Sequence, residues 1–152
     1  KQTIQFALQG GIIDLTCGMT GSAIPVPQAV KQALDAGVPL ERLTLSSDGN
    51  GSMPKFNENN ELIGLTAAAP RYLYEEMLSI VKAGVLPFDK ALQLITCNVA
   101  DALKLEDKGR IAVGKDADLI VWNDDLTLNK VFARGRLMVD KGQAVVKGTF
   151  EN

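Results

Sequence analysis

A strand–helix–strand pattern between residues 12 and 46 constrains the fold more than any other feature of this sequence. The apolar run Ile12-Ile13-Asp14-Leu15-Thr16-Cys17 follows two glycines and is typical of a buried strand. A helix with one apolar face is predicted to begin at Ser22 or within residues 25–27, and Leu43-Thr44-Leu45-Ser46 is predicted to form a second buried strand. A crossover of this length indicates a parallel sheet and therefore an α/β fold.

The rest of the chain divides into a helical part and a β part. The spacing of the apolar residues predicts an amphipathic helix over residues 1–8, and a polar loop is expected from residue 47 to about residue 64. Two helices are predicted next, over residues 68–83 and from about Pro87 to Leu103. From residue 108 the pattern changes to short alternating strands, which places a domain boundary near residue 106.

Composition argues against several classes of partner. The 16 basic and 18 acidic residues leave a net charge of −2, so neither a nucleic acid nor a membrane surface is expected to bind. No apolar run approaches the roughly 20 residues of a membrane span. Cys17 and Cys97 lack zinc-ligand spacing and are expected to be buried thiols of a cytoplasmic protein.

Two features favour a piece of a longer chain. The first helix opens at Lys1 without a capping Ser, Thr, Asp or Asn before its apolar residues. The sequence also contains no histidine, the commonest catalytic base and metal ligand. We therefore expect that other segments of a longer polypeptide complete any catalytic centre.

Asp48 is the sharpest candidate for chemistry. It follows the second predicted strand directly, and ligands bind at that edge of parallel sheets. The alternative is that Asp48-Gly49-Asn50-Gly51 is only a favourable turn. A calcium loop is a further alternative, because Asp48, Asn50 and Ser52 alternate as oxygen ligands do, but Met53 and Asn59 occupy positions that require glycine and a carboxylate.

Other catalytic patterns are weak. Ser46 or Ser47 would need a histidine as general base, and the chain has none. The glycine clusters lack the Lys-Ser/Thr pair of a phosphate loop. Arg71, Tyr72 and Tyr74 are interpreted as an ordinary helix surface rather than a stacking platform for bases.

The stretch Lys108-Gly109-Arg110-Ile111-Ala112-Val113-Gly114-Lys115-Asp116-Ala117-Asp118-Leu119-Ile120-Val121-Trp122 resembles the tail of the amidohydrolase superfamily. The segments 131–136 and 140–143 continue that likeness. Within the superfamily, the run from Leu43 to Ser52 and the ending Val146-Lys147-Gly148-Thr149-Phe150 are similar to isoaspartyl dipeptidases. The resemblance covers essentially the whole chain and is weakest in residues 18–27.

The resemblance implies the last part of a (β/α)8 barrel in residues 1–106 and the last strands of a small β-sandwich in residues 107–152. It also implies two zinc ions, a bridging hydroxide and a carbamylated lysine. The four histidines and the lysine of that site would come from outside this chain. By the same resemblance, Asp48 would ligate a metal and handle the proton, and Ser52 would hydrogen-bond the substrate.

The function expected from the resemblance is hydrolysis of the isopeptide bond in β-aspartyl dipeptides. The chain alone is expected to be inactive and to hold no metal. Its partners would be the missing N-terminal part of the polypeptide and further copies in a homo-oligomer. Two alternatives stay open: another amidohydrolase, such as a dihydroorotase-like or N-acyl-amino-acid hydrolase, and a metal-free structural or binding module on the same scaffold.

Overall fold

The computed structural model describes residues 2–19 and 24–148, which form a mixed α/β structure. The chain divides into two compact units, Lys1–Leu103 and Lys104–Asn152. The elements of the first unit are, in chain order, α1 (Gln2–Leu8), β1 (Ile13–Thr16), α2 (Val26–Asp35), β2 (Leu43–Ser46), β3 (Ser52–Phe56), β4 (Leu62–Ala67), α3 (Tyr72–Lys82), α4 (Phe88–Gln93) and α5 (Cys97–Ala102).

The predicted strand–helix–strand unit is confirmed. Strand β1 pairs in parallel with β2, so that Ile13 lies opposite Leu43 and Thr16 lies opposite Ser46. Helix α2 begins at Val26, immediately after Pro25, because proline is well tolerated at the start of a helix. The alternative start at Ser22 lies outside the described residues.

The core of the first unit lies between the parallel strands and the helices. Its most fully buried side chains are Leu43, Met77, Ile80, Leu94, Val30 and Cys17. Side chains alternate across a strand, so the leucines of β2 enter this core while Thr44 and Ser46 project to the opposite face of the sheet. The alternation leaves that opposite face polar.

The predicted polar loop from residue 47 to residue 64 is wrong over most of its length. Strands β3 and β4 form an antiparallel hairpin in this region. The Asn57 side chain accepts hydrogen bonds from the backbone N–H groups of Asn59 and Glu61, which closes the turn. Proline and glycine are uncommon inside strands, and Pro54 in β3 and Gly64 in β4 are the reason that the sequence pattern did not predict this hairpin.

The helices that follow are shorter than predicted. Helix α3 begins at Tyr72 rather than at residue 68, because Ala68 is held in the hairpin. The single helix expected from Pro87 to Leu103 is interrupted between α4 and α5. At the interruption, the carbonyl of Leu94 accepts a hydrogen bond from the Leu45 N–H of β2 at 3.0 Å. This hydrogen bond to the sheet takes the place of one within a continuous helix.

Asn98 fastens α5 to the beginning of β2. Its side-chain amide donates to the carbonyl oxygens of Leu40 at 2.8 Å and Leu43 at 2.9 Å. The residue is 3% exposed, so this amide is a buried polar group with two protein partners. Such groups are costly to disturb, because the carbonyls would lose donors that water cannot replace.

The second unit contains a four-stranded antiparallel sheet in the order β5 (Leu119–Trp122), β6 (Leu128–Ala133), β7 (Arg136–Asp140) and β8 (Gln143–Ala144). The last strand is shorter than the predicted run that ended at residue 146. That these strands belong to a β-sandwich, and the first unit to a barrel, stays a prediction. The predicted likeness at Thr149 and Phe150 lies outside the described residues.

A charged cluster precedes the first strand of that sheet. The Lys108 ammonium lies 2.7 Å from an Asp116 carboxylate oxygen and 2.5 Å from one of Asp118. Asp118 also accepts a hydrogen bond from the Arg134 N–H at 2.7 Å. These partners lower the pKa of both aspartates, with the Lys108 hydrogen bonds as the largest cause. The cluster therefore links the segment 108–122, which carries the family resemblance, to Arg134 directly after β6.

None of the helices in residues 2–19 and 24–148 has the length and apolar character that crossing a bilayer requires.

Candidate active site

Asp48 lies just beyond the C-terminal end of β2, at the edge where the two parallel strands finish. The residue is exposed and has a φ of 47°, a left-handed conformation that is uncommon outside glycine. Asn50 has a φ of 65° and continues the same tight path. The backbone therefore turns sharply at the strand end and presents the Asp48 carboxylate to solvent.

The loop that carries Asp48 is anchored on its far side to the end of the hairpin. Asn50 N–H donates to the Ala68 carbonyl at 2.9 Å, and Ala68 N–H donates to the Gly51 carbonyl at 2.8 Å. Ala68 is buried, so this pair of hydrogen bonds ties the loop to the packed part of the unit. The loop is thus fixed at both ends, by β2 before it and by Ala68 after it.

Gly51 packs against Asp48 itself. A Cβ at position 51 would lie 2.8 Å from the Asp48 carbonyl oxygen and 2.9 Å from its side-chain Oδ1. Those distances are too short for any real carbon, so the absence of a side chain at position 51 lets the carboxylate occupy its place. Gly51 therefore has a steric reason beyond turn formation.

Ser52 is the first residue of β3 and lies opposite Ala67 in the hairpin. It is exposed, and it directly follows the loop between β2 and β3 that carries Asp48. The structure thus brings the two predicted site residues onto one short, anchored segment. It also contradicts the calcium-loop alternative, because Met53 is buried in a strand and Asn59 lies in the hairpin turn.

Pattern reading missed a third polar group near the strand ends. The Asp14 carboxylate on β1 accepts hydrogen bonds from Thr44 Oγ1 at 2.7 Å and from Ser46 Oγ at 2.5 Å, both on β2. The signal was available, because a carboxylate and two hydroxyls at alternate positions in otherwise apolar strands must share one face. This network lies on the polar face of the parallel pair.

Cys17 is not a candidate ligand or nucleophile. Burial raises the pKa of its thiol to about 12, with smaller contributions from the negative charges of Glu76 and Asp14. The thiol therefore keeps its proton at neutral pH. Both cysteines are free, and the prediction of a buried thiol is confirmed for Cys17, whereas Cys97 is only half-buried.

A shallow cavity lies between the hairpin, Gly18 and Tyr72. Its volume is about 160 Å³, and Gly18, Met53, Pro54, Lys55, Thr66 and Tyr72 line it. Tyr72 packs so closely on Gly18 that a Cβ there would lie 2.3 Å from the ring. The half-buried Tyr72 is therefore part of a packed wall, which agrees with the interpretation of residues 71–74 as an ordinary helix surface.

The described residues offer one carboxylate where the family resemblance implies a metal site. Within residues 2–19 and 24–148, no group of three or more His, Cys, Asp or Glu side chains could hold a metal ion. Asp48 fits the donor type, because an exposed carboxylate on a fixed strand end is a suitable ligand for zinc. It fits as a single member of such a ligand set.

We expect that residues 1–152, purified alone, retain less than one zinc ion per chain after dialysis. Tetrahedral zinc sites need three or four protein ligands, and Asp48 would supply only one. Elemental analysis of the dialysed chain measures this directly, with the natural polypeptide that contains the chain as the reference. Two tightly held zinc ions in residues 1–152 would contradict the expectation.

Comparison with known proteins places this geometry in a family. Residues 25–149 match the Amidohydrolase family. The chain is 34% identical over 112 residues to an imidazolonepropionase of Anaeromyxobacter sp. (strain K), which covers 74% of this chain and 22% of that protein. It is 29% identical over 104 residues to adenine deaminase 1 of Carboxydothermus hydrogenoformans, covering 67% of this chain and 17% of that protein.

Solved structures with the same fold include dipeptidases. The beta-aspartyl dipeptidase of Fervidobacterium islandicum AW-1, solved in complex with a beta-Asp-Leu dipeptide, is 32% identical with a TM-score of 0.82, over 97% of this chain and 38% of that one. The N-acetylglucosamine-6-phosphate deacetylase of Thermotoga maritima shares the fold at 18% identity and a TM-score of 0.63, over 86% of this chain and 39% of that one.

The chain therefore spans less than two fifths of the length of these proteins. Members of the superfamily are generally metal-dependent. With the family match over residues 25–149 and the likeness to beta-aspartyl dipeptidase over nearly its whole length, this chain belongs to the amidohydrolase family.

Proposed function

We propose that the polypeptide containing this chain is a zinc-dependent isoaspartyl dipeptidase, and that the chain supplies its Asp48 and Ser52. The observation that carries the proposal is the likeness to the beta-aspartyl dipeptidase of Fervidobacterium islandicum over 97% of the chain. That protein was solved with a beta-Asp-Leu dipeptide, so we assign β-aspartyl dipeptides as the substrate class. The exposed, anchored Asp48 at the strand end supports the same assignment.

The chemistry of the proposed reaction requires a proton to move twice. Attack of water on the isopeptide carbonyl releases a proton, and the departing amine must gain one. A carboxylate oxygen of Asp48 takes the first proton and returns it to the leaving nitrogen. Proton transfer of this kind typically accelerates a reaction about 10²–10⁴-fold. Zinc, when bound, would supply an acidified water and polarise the carbonyl.

The proposed role of Asp48 depends on its placement. An aspartate side chain is short, so its reach is set by the backbone that carries it. Here that backbone follows a buried strand and is held at its other end by the Asn50–Ala68 hydrogen bond. The alternative, that the motif is only a turn, does not account for a carboxylate held at the ligand-binding edge of the parallel strands.

Ser52 would orient the substrate rather than react. Its hydroxyl can donate a hydrogen bond to an anionic carboxylate of a β-aspartyl dipeptide. It lies in the first position of β3, four residues after Asp48 and at the end of the loop that carries it. A donor at that place would fix one end of the substrate while the isopeptide bond lies near Asp48.

The proposed partners follow from the same assignment. The rest of the barrel and of the β-sandwich would come from other segments of the polypeptide. We also propose a homo-oligomer, because strand β4 exposes Leu62, Ile63 and Leu65 on its surface. The free thiols of Cys17 and Cys97 suit a reducing compartment such as the cytoplasm.

A second candidate function rests on the sequence relatives. Adenine deaminase and imidazolonepropionase also match this chain, at 29% and 34% identity over shorter stretches. Both candidates use the same family fold, so the fold does not separate them. Sequence identity favours the dipeptidase, because 32% identity to the beta-aspartyl dipeptidase extends over 97% of the chain, whereas the identities to the two other enzymes extend over 67% and 74%.

The test is an activity comparison on the natural polypeptide. We expect release of aspartate and leucine from β-Asp-Leu, with no release from α-Asp-Leu, whose bond lies one carbon closer to the backbone. Adenine and imidazolonepropionate are the competing substrates. Turnover of adenine is measured by the release of ammonia, and turnover of imidazolonepropionate is measured by the loss of ring absorbance. Turnover of either ring compound with none of β-Asp-Leu would overturn the dipeptidase assignment and support the second candidate.

A further inference from the structure

The polar face of the parallel pair carries a network that the proposed reaction does not use. Asp14 on β1 accepts a hydrogen bond from each of two hydroxyls on β2, Thr44 Oγ1 at 2.7 Å and Ser46 Oγ at 2.5 Å. These contacts join residues that are 30 and 32 positions apart in sequence. A charged acceptor with two hydroxyl donors is a strong polar tie between neighbouring strands.

Ser46 is held to β1 by its backbone as well as by its side chain. Its carbonyl accepts a hydrogen bond from the Cys17 N–H at 2.7 Å, which continues the parallel ladder. Its hydroxyl donates to Asp14 on the polar face of the sheet. Ser46 is the last residue of β2, so both contacts act on the point where the strand ends.

Asp48 lies two residues after this point and is left-handed in conformation. On its far side, Asn50 is tied to the buried Ala68. Asp48 therefore lies between two fixed points, which are the end of β2 at Ser46 and the Asn50–Ala68 hydrogen bond. Ser46 is held by one backbone hydrogen bond, from Cys17, and by one side-chain hydrogen bond, to Asp14. Freeing the end of β2 would let the carboxylate move relative to its substrate.

We propose that Asp14 is a positioning residue that sets the location of Asp48 by fixing the end of β2 through Ser46. This inference rests on the proposed function for its catalytic consequence. Asp14 acts as a hydrogen-bond acceptor and not as a reacting group. A displacement of about 1 Å at a catalytic group can lower a rate by up to about 10²-fold, so a modest loosening has a measurable effect.

The test compares two substitutions of Asp14 in the natural polypeptide. Asp14→Ala removes both acceptors, and we expect kcat for β-Asp-Leu to fall about 10-fold or more while KM changes little. Asp14→Asn keeps the shape, and a serine hydroxyl can turn to accept from its amide, so this variant should restore most of the rate. Asp35→Ala, an exposed aspartate paired with Lys31 on α2, is the matched control and should leave kcat unchanged.

A second set of variants tests whether Asp14 acts on Asp48 through Ser46. Ser46→Ala should lower kcat to a similar extent, and adding Asp14→Ala to it should cost little more, because one contact has been removed twice. If Asp14→Ala fails to fold, Ser46→Ala still decides the question. Unchanged kcat in either single variant overturns the proposal. An Asp14→Asn variant as slow as Asp14→Ala also overturns it, since the charge would then be what matters.

Hydrogen exchange supplies a readout that does not depend on activity. Amides of residues 43–51 should exchange about 10-fold faster in Asp14→Ala than in the parent, while those of α2 stay the same. If the parent polypeptide does not hydrolyse β-Asp-Leu, the proposed function fails, and this exchange comparison still tests the positioning role. Unaltered exchange in residues 43–51 overturns the positioning role alone.

Discussion

Asn in place of Asp48 is expected to lower kcat for β-Asp-Leu by at least about 10²-fold in the natural polypeptide, without unfolding it. The substitution keeps the size of the side chain and one oxygen that can ligate a metal. It removes the negative charge and the basicity that proton transfer requires. Because Asp48 is exposed and its loop is held by backbone hydrogen bonds, the thermal midpoint should change little.

Ser52→Ala provides the contrast that separates chemistry from binding. A hydroxyl that only orients a substrate carboxylate contributes similarly in the ground state and in the transition state. We therefore expect KM to rise while kcat is largely kept. Steady-state kinetics on both variants, with zinc content measured in each preparation, gives the comparison.

The control for the charge change is Asp124→Asn, an exposed aspartate in the second unit. It should leave both kinetic constants as they are. If Asp48→Asn keeps near-normal kcat with its zinc bound, Asp48 does not carry the proton. The motif from Asp48 to Gly51 would then be a turn with no part in the reaction.

Local sequence patterns were sufficient to predict the helices and strands whose formation depends on residues nearby in the sequence. The strand–helix–strand unit was predicted because apolar runs, prolines and the length of the crossover all act within about 35 residues. Asp48 was predicted as a candidate in the same way, because a carboxylate directly after a buried strand has a defined place in a parallel sheet. In contrast, the role of Ser52 came from the family resemblance and not from its chemistry.

The elements that were missed depend on distant partners. The break between α4 and α5 coincides with Leu94 bonding to Leu45, which no helical periodicity in residues 87–103 can reveal. The Asp14 network spans 30 and 32 positions and becomes visible only when β1 and β2 are paired in register. The β3–β4 hairpin was hidden by Pro54 and Gly64, whose cost in a strand is offset by pairing and by the burial of Met53.

Asn98 has the same long-range character, and it yields the largest stability effect that we expect from a single substitution. Its amide reaches carbonyl oxygens that are 55 and 58 positions earlier in the chain. Asn98→Asp has nearly the same shape, but an ionised carboxylate cannot donate to either carbonyl. The Leu40 carbonyl keeps a hydrogen bond from the Leu43 N–H, so the main costs are the donor lost by the Leu43 carbonyl and the burial of a negative charge beside two carbonyl oxygens. A buried polar group that loses its partner costs about 1–3 kcal/mol, and more when it is charged, so we expect a loss of about 3 kcal/mol or more at pH 7.

The pH dependence identifies the cause of that loss. Burial among carbonyl oxygens disfavours the charged form, so the pKa of an aspartate at position 98 would be raised in the folded state above its ordinary value of about 3.9. A raised carboxyl pKa means that the folded state holds the proton more tightly, and that stability falls as pH rises past the unfolded value. The deficit of Asn98→Asp should therefore be smaller at pH 4 than at pH 7. Urea unfolding at both pH values measures it, with the exposed Asn59→Asp as the control, expected within about 0.5 kcal/mol of the parent. A deficit at position 98 as small as that of the control would show that the two hydrogen bonds do not stabilise the junction of α5 and β2.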